Sequence, residues 1–278
     1  MGFGEITVKR LFAIGLVVAG ALCAQEKITM PFSNPSAPHK LNVDLMLGSV
    51  TVKGYEGRDV IVEYTAGSNP VFPTRRGTPE PPPPGMHRIG GGRQFDIMED
   101  NNVVSVKGGV WFQPLGDVTI QVPFDTSVTA KTMTGKNVTI DNISGEIEAN
   151  NMNGEVNVTN ASGSVVAHSM NGKVVVSLNK VTPGKNMSFS TMNGTVDVTL
   201  PADTKANLKL RADNGEIYTD FDVKLEAQSA PVVQEEKTKS GKVRRRVRTD
   251  GTEQGTINGG GAEMQFTTFN GRILIHKK

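Results

Sequence analysis

The chain is poor in cysteine, aromatic residues and long apolar stretches, and each shortage disfavours a class of protein. Its 278 residues include 1 cysteine, 1 tryptophan and 3 tyrosines, which argues against a disulfide framework and an aromatic sugar-binding groove. The longest apolar stretch, 11–24, is too short for a comfortable membrane span. With 30 basic and 28 acidic residues, the overall charge indicates no particular partner.

The N-terminal segment predicts export. Lys9 and Arg10 precede the apolar stretch, which ends in small residues, as in a signal peptide. We place cleavage after Ala24 rather than after Cys23, and a lipid anchor on that cysteine is disfavoured because the residue before it is not small. The mature chain, 25–278, then has no cysteine and no transmembrane segment. The expected location is the periplasm, the cell surface or the extracellular space.

A repeated unit is the strongest pattern in the sequence. In each copy, apolar residues and one glycine recur at the same spacing, and the central copies follow one another after eighteen and then twenty-two residues. Weaker copies begin at Val128 and Leu208, and a copy without the glycine is formed by Phe95, Ile97, Val104 and Val106. The full copies are Ile147, Ala149, Met152, Gly154, Val156, Val158; Val165, Ala167, Met170, Gly172, Val174, Val176; Met187, Phe189, Met192, Gly194, Val196, Val198; Leu41, Val43, Met46, Gly48, Val50, Val52; and Met264, Phe266, Phe269, Gly271, Ile273, Ile275.

Each unit predicts two short strands joined by a tight turn. Apolar residues at every second position indicate a strand with one buried face, and Asn-Gly or Thr-Gly allows a turn with positive φ at little steric cost. Stacked units would bury a continuous core and pair their backbones at ~4.8 Å steps. We therefore predict an all-β fold: a β-solenoid, similar to a parallel β-helix, with two short strands per coil of about 18 residues. The Met or Phe before each Asn-Gly is expected to stack as an internal ladder.

An antiparallel β-sandwich is the alternative, because Asn-Gly is also the preferred turn of a two-residue hairpin. The solenoid is favoured, since a sandwich gives little reason for one side-chain type to recur at the same corner. We expect the signal peptide over 1–24 and a single solenoid domain over 25–278. The residues before Leu41 are expected to cover one end of the stack, and the last strand, at Ile273 to Ile275, the other.

Several segments carry a resemblance to a known family. They are LNVDLMLGSVTVKG at 41–54, VTIQVP at 118–123, the coils with Met-Asn-Gly, and GGGAEMQFTTFNGRILI at 259–275. With these segments the chain resembles the bacterial putative-adhesin family, an exported β-solenoid domain of unknown function related to the head domains proposed for autotransporter adhesins. The resemblance implies a solenoid fold and an envelope location, and it brings no catalytic or ligand-binding residues.

Two insertions depart from the repeat. Residues 68–93 are too rich in proline and glycine for a central strand, and predict a loop excursion, or a polyproline II ligand or wall tether at 81–84. Residues 227–260 contain a basic cluster, which predicts a solvated loop or hairpin, or a contact with an anionic lipid or wall polymer. Nucleic acid is disfavoured, because no aromatic residues are interleaved. The candidate contact residues are Lys237, Lys239, Lys242, Arg244, Arg245, Arg246 and Arg248.

Catalytic, metal and cofactor motifs are not recognisable in the sequence. The four histidines are scattered, and neither an HExxH motif nor a phosphate-binding glycine loop is present. Glu146, Glu148 and Glu155 are near enough in sequence to share a surface, but a solvated rim explains them as well as a glycosidase site does. The turns also lack the regular aspartate of the calcium-binding nonapeptide repeat. We therefore expect no enzyme, no cofactor and no metal.

Together these patterns predict a non-enzymatic, exported structural or adhesive module of the bacterial cell envelope. Its expected partner is an unidentified envelope or surface component, whether protein, polysaccharide or anionic polymer. One alternative is a periplasmic sensor or regulator that binds an anionic envelope component through the basic insertion. A further alternative is a polysaccharide-active enzyme, because parallel β-helices often host such sites.

Overall fold

The computed structural model of the protein is all-β where it describes the chain, as predicted: nineteen strands form one sheet and two form a separate hairpin. The described residues contain no helix. Among them there is therefore no helix that is long and apolar enough to cross a membrane. The predicted signal peptide, 1–24, and the Pro/Gly-rich insertion, 68–93, lie outside the described residues. The structure describes 26–65, 95–108, 116–226, 232–237, 243–248 and 251–278.

The strands are numbered in chain order. They are β1 Glu26–Pro31, β2 Lys40–Leu47, β3 Val50–Tyr55, β4 Asp59–Thr65, β5 Phe95–Asp100, β6 Val103–Gly108, β7 Asp117–Pro123, β8 Ser127–Asp141, β9 Ile147–Ala161, β10 Val165–Asn171, β11 Val174–Leu178, β12 Met187–Asn193, β13 Val196–Leu200, β14 Ala206–Asn214, β15 Ile217–Thr219, β16 Lys224–Leu225, β17 Val232–Lys237, β18 Val243–Arg248, β19 Thr252–Ile257, β20 Ala262–Asn270 and β21 Ile273–Lys277.

The repeated units pair in parallel, each with the next. Val165 lies opposite Ile147, and Val174 lies opposite Val156, so both halves of one unit meet the matching halves of the unit eighteen residues earlier. Between β10 and β12 the step is twenty-two residues, because a four-residue insertion precedes β12. Strands β8 and β9 run through the turn as single strands of 15 residues each.

The core lies on the inward face that the repeat predicted. In β10 and β11 every second residue is buried, because side chains alternate between the two faces of a strand. The buried side chains of neighbouring strands form one continuous cluster from Phe32 to Ile275. Within it, Phe189 and Phe266 lie on adjacent strands with their ring centroids 5.0 Å apart.

The methionine before each Asn-Gly is not in the core, so the predicted internal ladder is wrong. Met152, Met170 and Met192 are 38%, 39% and 47% exposed. The reason lies in the spacing of the unit: the methionine stands an odd number of positions from the buried residues of its strand, and alternation therefore places it on the outer face.

The residue before each of these methionines is polar, and it is buried instead. Ser169 Oγ donates to the Gly154 carbonyl oxygen at 2.8 Å, and Thr191 Oγ1 donates to the Gly172 carbonyl oxygen at 2.8 Å. Each bond joins one unit to the turn of the unit before it. A buried carbonyl without a partner costs about 1–3 kcal/mol, so this position favours a small hydrogen-bond donor over an apolar side chain.

The order of the units in space differs from their order in the chain at both ends. The C-terminal strand β20 lies between β12 and β14, and β21 lies between β13 and β15. At the other end, β2 lies between β6 and β8, and β3 lies between β7 and β8. The prediction that Ile273 to Ile275 covers one end of the stack is therefore wrong, because that strand is interior.

Antiparallel strands cover both ends of the parallel stack. At one end β19 pairs with β14 and β16, and at the other β4 pairs with β7 and β1. The weak copy that began at Phe95 is also antiparallel, because β5 and β6 form a hairpin. Strands that change direction at an edge leave no regular parallel template for further stacking.

Candidate functional surfaces

The first strands of the units form one continuous outer surface, which we call the polar face. In spatial order they are β2, β8, β9, β10, β12, β20 and β14, paired side by side in parallel. Their outward residues fall into two columns, because the register is kept from strand to strand. One column is Asn42, Thr129, Glu148, Val166, Ser188, Gln265 and Lys209, and the other is Asp44, Lys131, Asn150, His168, Ser190, Thr267 and Arg211.

Hydrogen bonds between neighbours order side chains of the polar face. Asn150 Nδ2 donates to Glu148 Oε1 at 2.9 Å, and Lys131 Nζ lies 3.1 Å from the same oxygen. His168 Nδ1 lies 2.9 Å from Ser190 Oγ. Side chains that are already ordered by hydrogen bonds lose less conformational entropy when a partner binds. These parts of the polar face are therefore preorganised for binding.

The three glutamates that the sequence grouped are divided between different contacts. Glu146 lies 2.9 Å from Lys185 Nζ, Glu148 is paired with a lysine on the polar face, and Glu155 follows the turn at Gly154. Glycoside hydrolysis uses two carboxyl groups that face one substrate from opposite sides of the bond. Two carboxylates that each face a lysine do not present such a pair.

A row of large apolar side chains borders the polar face on the side of the turns, and we call it the Met-Phe row. Phe269 is 46% exposed, and Met152, Met170 and Met192 are 38%, 39% and 47% exposed. The next position in the column, beyond Phe269, is Asp213, whose Oδ1 accepts a hydrogen bond from Arg211 Nε at 2.9 Å. In spatial order the row is Met152, Met170, Met192 and Phe269. The same column continues past Met152 with Met133 and Met46, which are only partly exposed.

An asparagine ladder runs beside the Met-Phe row. Asn171 Nδ2 donates to Asn153 Oδ1 at 2.9 Å, and Asn193 Nδ2 donates to Asn171 Oδ1 at 2.8 Å. Asn270 Nδ2 donates to Asn193 Oδ1 at 2.8 Å, and Asn214 Nδ2 donates to Asn270 Oδ1 at 3.0 Å. Sequence reasoning treated these asparagines as turn formers and missed the ladder, although their constant place before the glycine was the signal for it.

The candidate basic residues lie on a hairpin outside the main sheet. Strands β17 and β18 pair only with each other in the described structure, and Glu236 lies opposite Arg244 and Glu235 opposite Arg245. A hairpin was one of the two structures expected for this insertion. Lys237, Arg244, Arg245, Arg246 and Arg248 belong to its strands, whereas Lys239 and Lys242 lie outside the described residues.

An open cleft of about 450 Å³ lies where three connections meet at one end of the strands. Lys180, Asp203 and Lys205 line it together with Gly260 and Gly261, so its charge is mixed. Within the described ranges, no group of three His, Cys, Asp or Glu side chains is placed to hold a metal ion. The cleft therefore presents charges of both signs beside apolar residues, without a metal-binding group among the described residues.

Acid and base groups also meet on the second strands of the units. His276 Nδ1 lies 3.2 Å from Asp220 Oδ2, and its Nε2 lies 3.6 Å from Asp197 Oδ1. Nearby, the Tyr218 hydroxyl donates to Glu216 Oε2 at 2.5 Å, and this bond raises the pKa of Tyr218 above its usual value. These groups are exposed and bond to one another, which is typical of a solvated surface network.

Comparisons with known proteins give a distant structural likeness. No family model matches the chain, and no curated protein matches it. A crystal structure of a putative cell adhesion protein from Clostridium sporogenes ATCC 15579 is similar over 92% of this chain and 100% of that one, with 13% identity and a TM-score of 0.44. A likeness of that degree assigns no function, so the function is argued from the surfaces of the chain itself.

Proposed function

We propose that the chain is a non-enzymatic, exported structural or adhesive module of the bacterial cell envelope, and that the polar face is its contact surface. The module is one β-solenoid over 25–278, with the segments 68–93 and 227–260 as side elements and 1–24 as its signal peptide. The exported location is tested by protease accessibility of the tagged protein on intact cells and on osmotically opened cells.

The strand pairing supports the solenoid over the antiparallel sandwich. If Asn-Gly formed two-residue hairpins, the two strands that flank it would pair with each other in antiparallel fashion. Instead β10 pairs in parallel with β9 and β12, and β11 pairs in parallel with β9 and β13. Two strands per unit, each meeting its counterpart in the next unit, describe a coil that advances by one strand spacing per turn.

The polar face carries the functional proposal. Its seven strands give it a length of roughly 29 Å at ~4.8 Å per step. Five of its fourteen outward side chains are charged, with both signs present, and eight are hydroxyls, amides or an imidazole. Such groups both donate and accept hydrogen bonds, so they suit a hydroxyl-rich polymer or a polar protein surface. Many shallow contacts along a ladder replace the single deep pocket of an enzyme.

The proposal is tested by placing charge on the polar face. Ser190 and Thr267 lie opposite each other on β12 and β20, and Ser190→Glu with Thr267→Glu should reduce co-sedimentation of the purified protein with isolated sacculi at least about tenfold. The control is Ser177→Glu with Thr199→Glu, an equivalent pair on β11 and β13. Equal binding by both variants and the unmodified chain would refute a contact role for the polar face.

A sensor or regulator that binds an anionic envelope component is the second candidate, and the separate hairpin favours it. Four of the six residues of β18 are arginine, on an element that shares no strand pairing with the main sheet in the described structure. Replacing Arg244, Arg245, Arg246 and Arg248 with Gln should abolish binding to phosphatidylglycerol vesicles and its dependence on salt. Unchanged binding would remove this candidate.

A further inference from the structure

The asparagine ladder is built from Asn-Gly pairs, and this dipeptide has a chemistry of its own. The backbone nitrogen of the glycine attacks the side-chain Cγ of the asparagine, because glycine has no side chain to hinder the approach. A cyclic succinimide forms, and the amide nitrogen leaves as ammonia with the proton of the glycine N–H. Water then opens the ring to aspartate or isoaspartate. The six Asn-Gly pairs begin at 153, 171, 193, 214, 258 and 270.

Four of the five ladder asparagines are held on both sides of the side-chain amide. Asn171 donates to Asn153 and accepts from Asn193, and Asn193 and Asn270 each donate and accept in the same way. Asn153 accepts from Asn171 and donates to the Met133 carbonyl oxygen at 3.3 Å. The side chain must rotate toward the following glycine to form the ring, so these bonds have to break first.

The attacking nitrogens of the inner pairs are held as well. Three glycine N–H groups donate to a backbone carbonyl oxygen of the next unit: Gly172 to Asn193 at 3.0 Å, Gly194 to Asn270 at 2.9 Å and Gly271 to Asn214 at 3.3 Å. An N–H that is bonded within the stack reacts only when its unit opens locally. The rate of reaction is therefore reduced by the small population of the open state.

We propose that Asn214 is a site of spontaneous deamidation, because the asparagine ladder ends there. Its Nδ2 donates to Asn270 Oδ1, and both Asn214 and Gly215 are exposed. Among the described residues, no group donates to Asn214 Oδ1 and the Gly215 N–H has no acceptor, because the pairing of β14 with β19 ends at Arg211. One hydrogen bond thus holds the reacting groups at this pair, where the inner pairs have several.

The product changes the charge at this end of the ladder. The new carboxylate stands between Asp213 and Glu216 in the sequence, and an ionised carboxylate cannot donate to Asn270 Oδ1 as the amide does. The bonds among the other four ladder asparagines remain. The reaction therefore makes the end of the ladder anionic and leaves the interior of the stack as it is.

Asn258 provides a comparison outside the ladder. It precedes the exposed Gly259, but its Nδ2 donates both to the Ala202 carbonyl oxygen at 3.0 Å and to the Thr204 carbonyl oxygen at 2.7 Å. Both N–H groups of this amide are bonded, whereas Asn214 uses one. Asn258 should therefore react more slowly than Asn214.

Peptide mapping by mass spectrometry tests the proposal on the native full chain during long incubation at mildly alkaline pH. Trypsin releases Asn214 in the fragment 212–224, and fragmentation of that peptide separates aspartate from isoaspartate. Asn214 should convert at least about tenfold faster than the four inner ladder asparagines. In Asn214→Gln the attack would have to form a six-membered ring, so this fragment should stay unmodified while the other sites keep their rates.

The same incubation in guanidinium chloride removes the ladder and provides the reference rates. All six pairs should then react within about threefold of one another, since little structure distinguishes them in the unfolded chain. A native chain in which Asn214 reacts no faster than the inner pairs overturns the proposal. A tenfold preference for Asn214 that persists in guanidinium chloride overturns it too, because the local sequence and not the end of the ladder would then determine the rate.

Discussion

Glu99 connects the loop after β1 to the turn between β5 and β6. Its carboxylate accepts hydrogen bonds from Ser33 Oγ at 2.7 Å, the Asn102 backbone N–H at 2.9 Å and the Ser33 backbone N–H at 3.2 Å. All three donors favour the charged form, and the Ser33 hydroxyl contributes most to a pKa of Glu99 below its usual value. The Glu99 side chain thus links two segments that are far apart in sequence.

The lowered pKa predicts a loss of stability on the acid side. A carboxyl whose pKa is lowered by folding stabilises the fold fully above its unfolded pKa of ~4.3, and this contribution disappears as the pH falls through the lower folded value. Glu99→Gln should therefore flatten the decrease in the free energy of unfolding between neutral pH and about pH 3. Urea denaturation at several pH values measures it, with Asp96→Asn on the same strand as control. A variant with the same pH dependence as the unmodified chain would contradict this role.

Single residues also explain where the sequence was misleading. Met170 was assigned to the core because it is apolar, and Ser169 was overlooked because it is polar, yet only Ser169 is buried. Alternation along the strand decides which of the two side chains is buried. The sequence already showed that Ser169 stands an even number of positions, and Met170 an odd number, from the buried Val165. It did not show the bond from Ser169 to the Gly154 carbonyl, because this bond joins two units whose pairing the periodicity suggests but does not prove.

At the scale of the element, the turns stack as closely as the strands. A Cβ at Gly172 would overlap the Gly154 carbonyl oxygen, and one at Gly194 would overlap the Gly172 carbonyl oxygen. The requirement for glycine at this position is therefore steric contact with the preceding unit as well as turn geometry. A Cβ at Gly154 or Gly271 would likewise overlap a backbone carbonyl oxygen of the neighbouring unit, whereas at Gly48 the positive φ of 114° accounts for the glycine.

The stacked turns predict a large cost for a single methyl group. Gly172→Ala should lower the free energy of unfolding by about 2 kcal/mol or more, because backbone on both sides of the contact must shift. Gly251→Ala is the control, since a Cβ there meets no atom within 4 Å, and it should change stability by less than about 0.5 kcal/mol. Equal effects in denaturant titrations would show that the turns tolerate a wider spacing.

The paired strands themselves were largely predictable, and their spatial order was not. Period-two alternation identified the buried positions of the units that begin at Ile147, Val165 and Met187, because alternation depends only on the local chain. The units that begin at Leu208 and Met264 offer nearly the same inward face, so either one fits beside β12. Only the path of the whole chain determines that β20 takes that place and β14 the next.

At the scale of the whole molecule, the C-terminal strands are built into the interior of the stack. Strands β20 and β21 each have a parallel neighbour on both sides, and in the described structure they connect β14, β15 and the antiparallel strand β19 to β12 and β13. The hairpin of β17 and β18 lies between β16 and β19 in the sequence. Strands β16 and β19 pair with each other at the end of the stack that antiparallel strands cover. The last strands of the sequence therefore hold an interior place in the stack.

This arrangement predicts opposite outcomes for two deletions of similar length. Removing 258–278 takes out the interior strands β20 and β21, exposes apolar faces on both sides and separates β14, β15 and β19 from the core. The truncated chain should therefore lose its cooperative thermal transition and become sensitive to protease throughout. Replacing 228–250 with a short Gly-Ser linker removes a hairpin that has its own two-stranded sheet, and it should leave the melting transition nearly unchanged. If the C-terminal truncation melted like the full chain, the parallel pairing of β12 with β20 would not be a principal source of stability, and the core would have to be held together by the units from β8 to β13 alone.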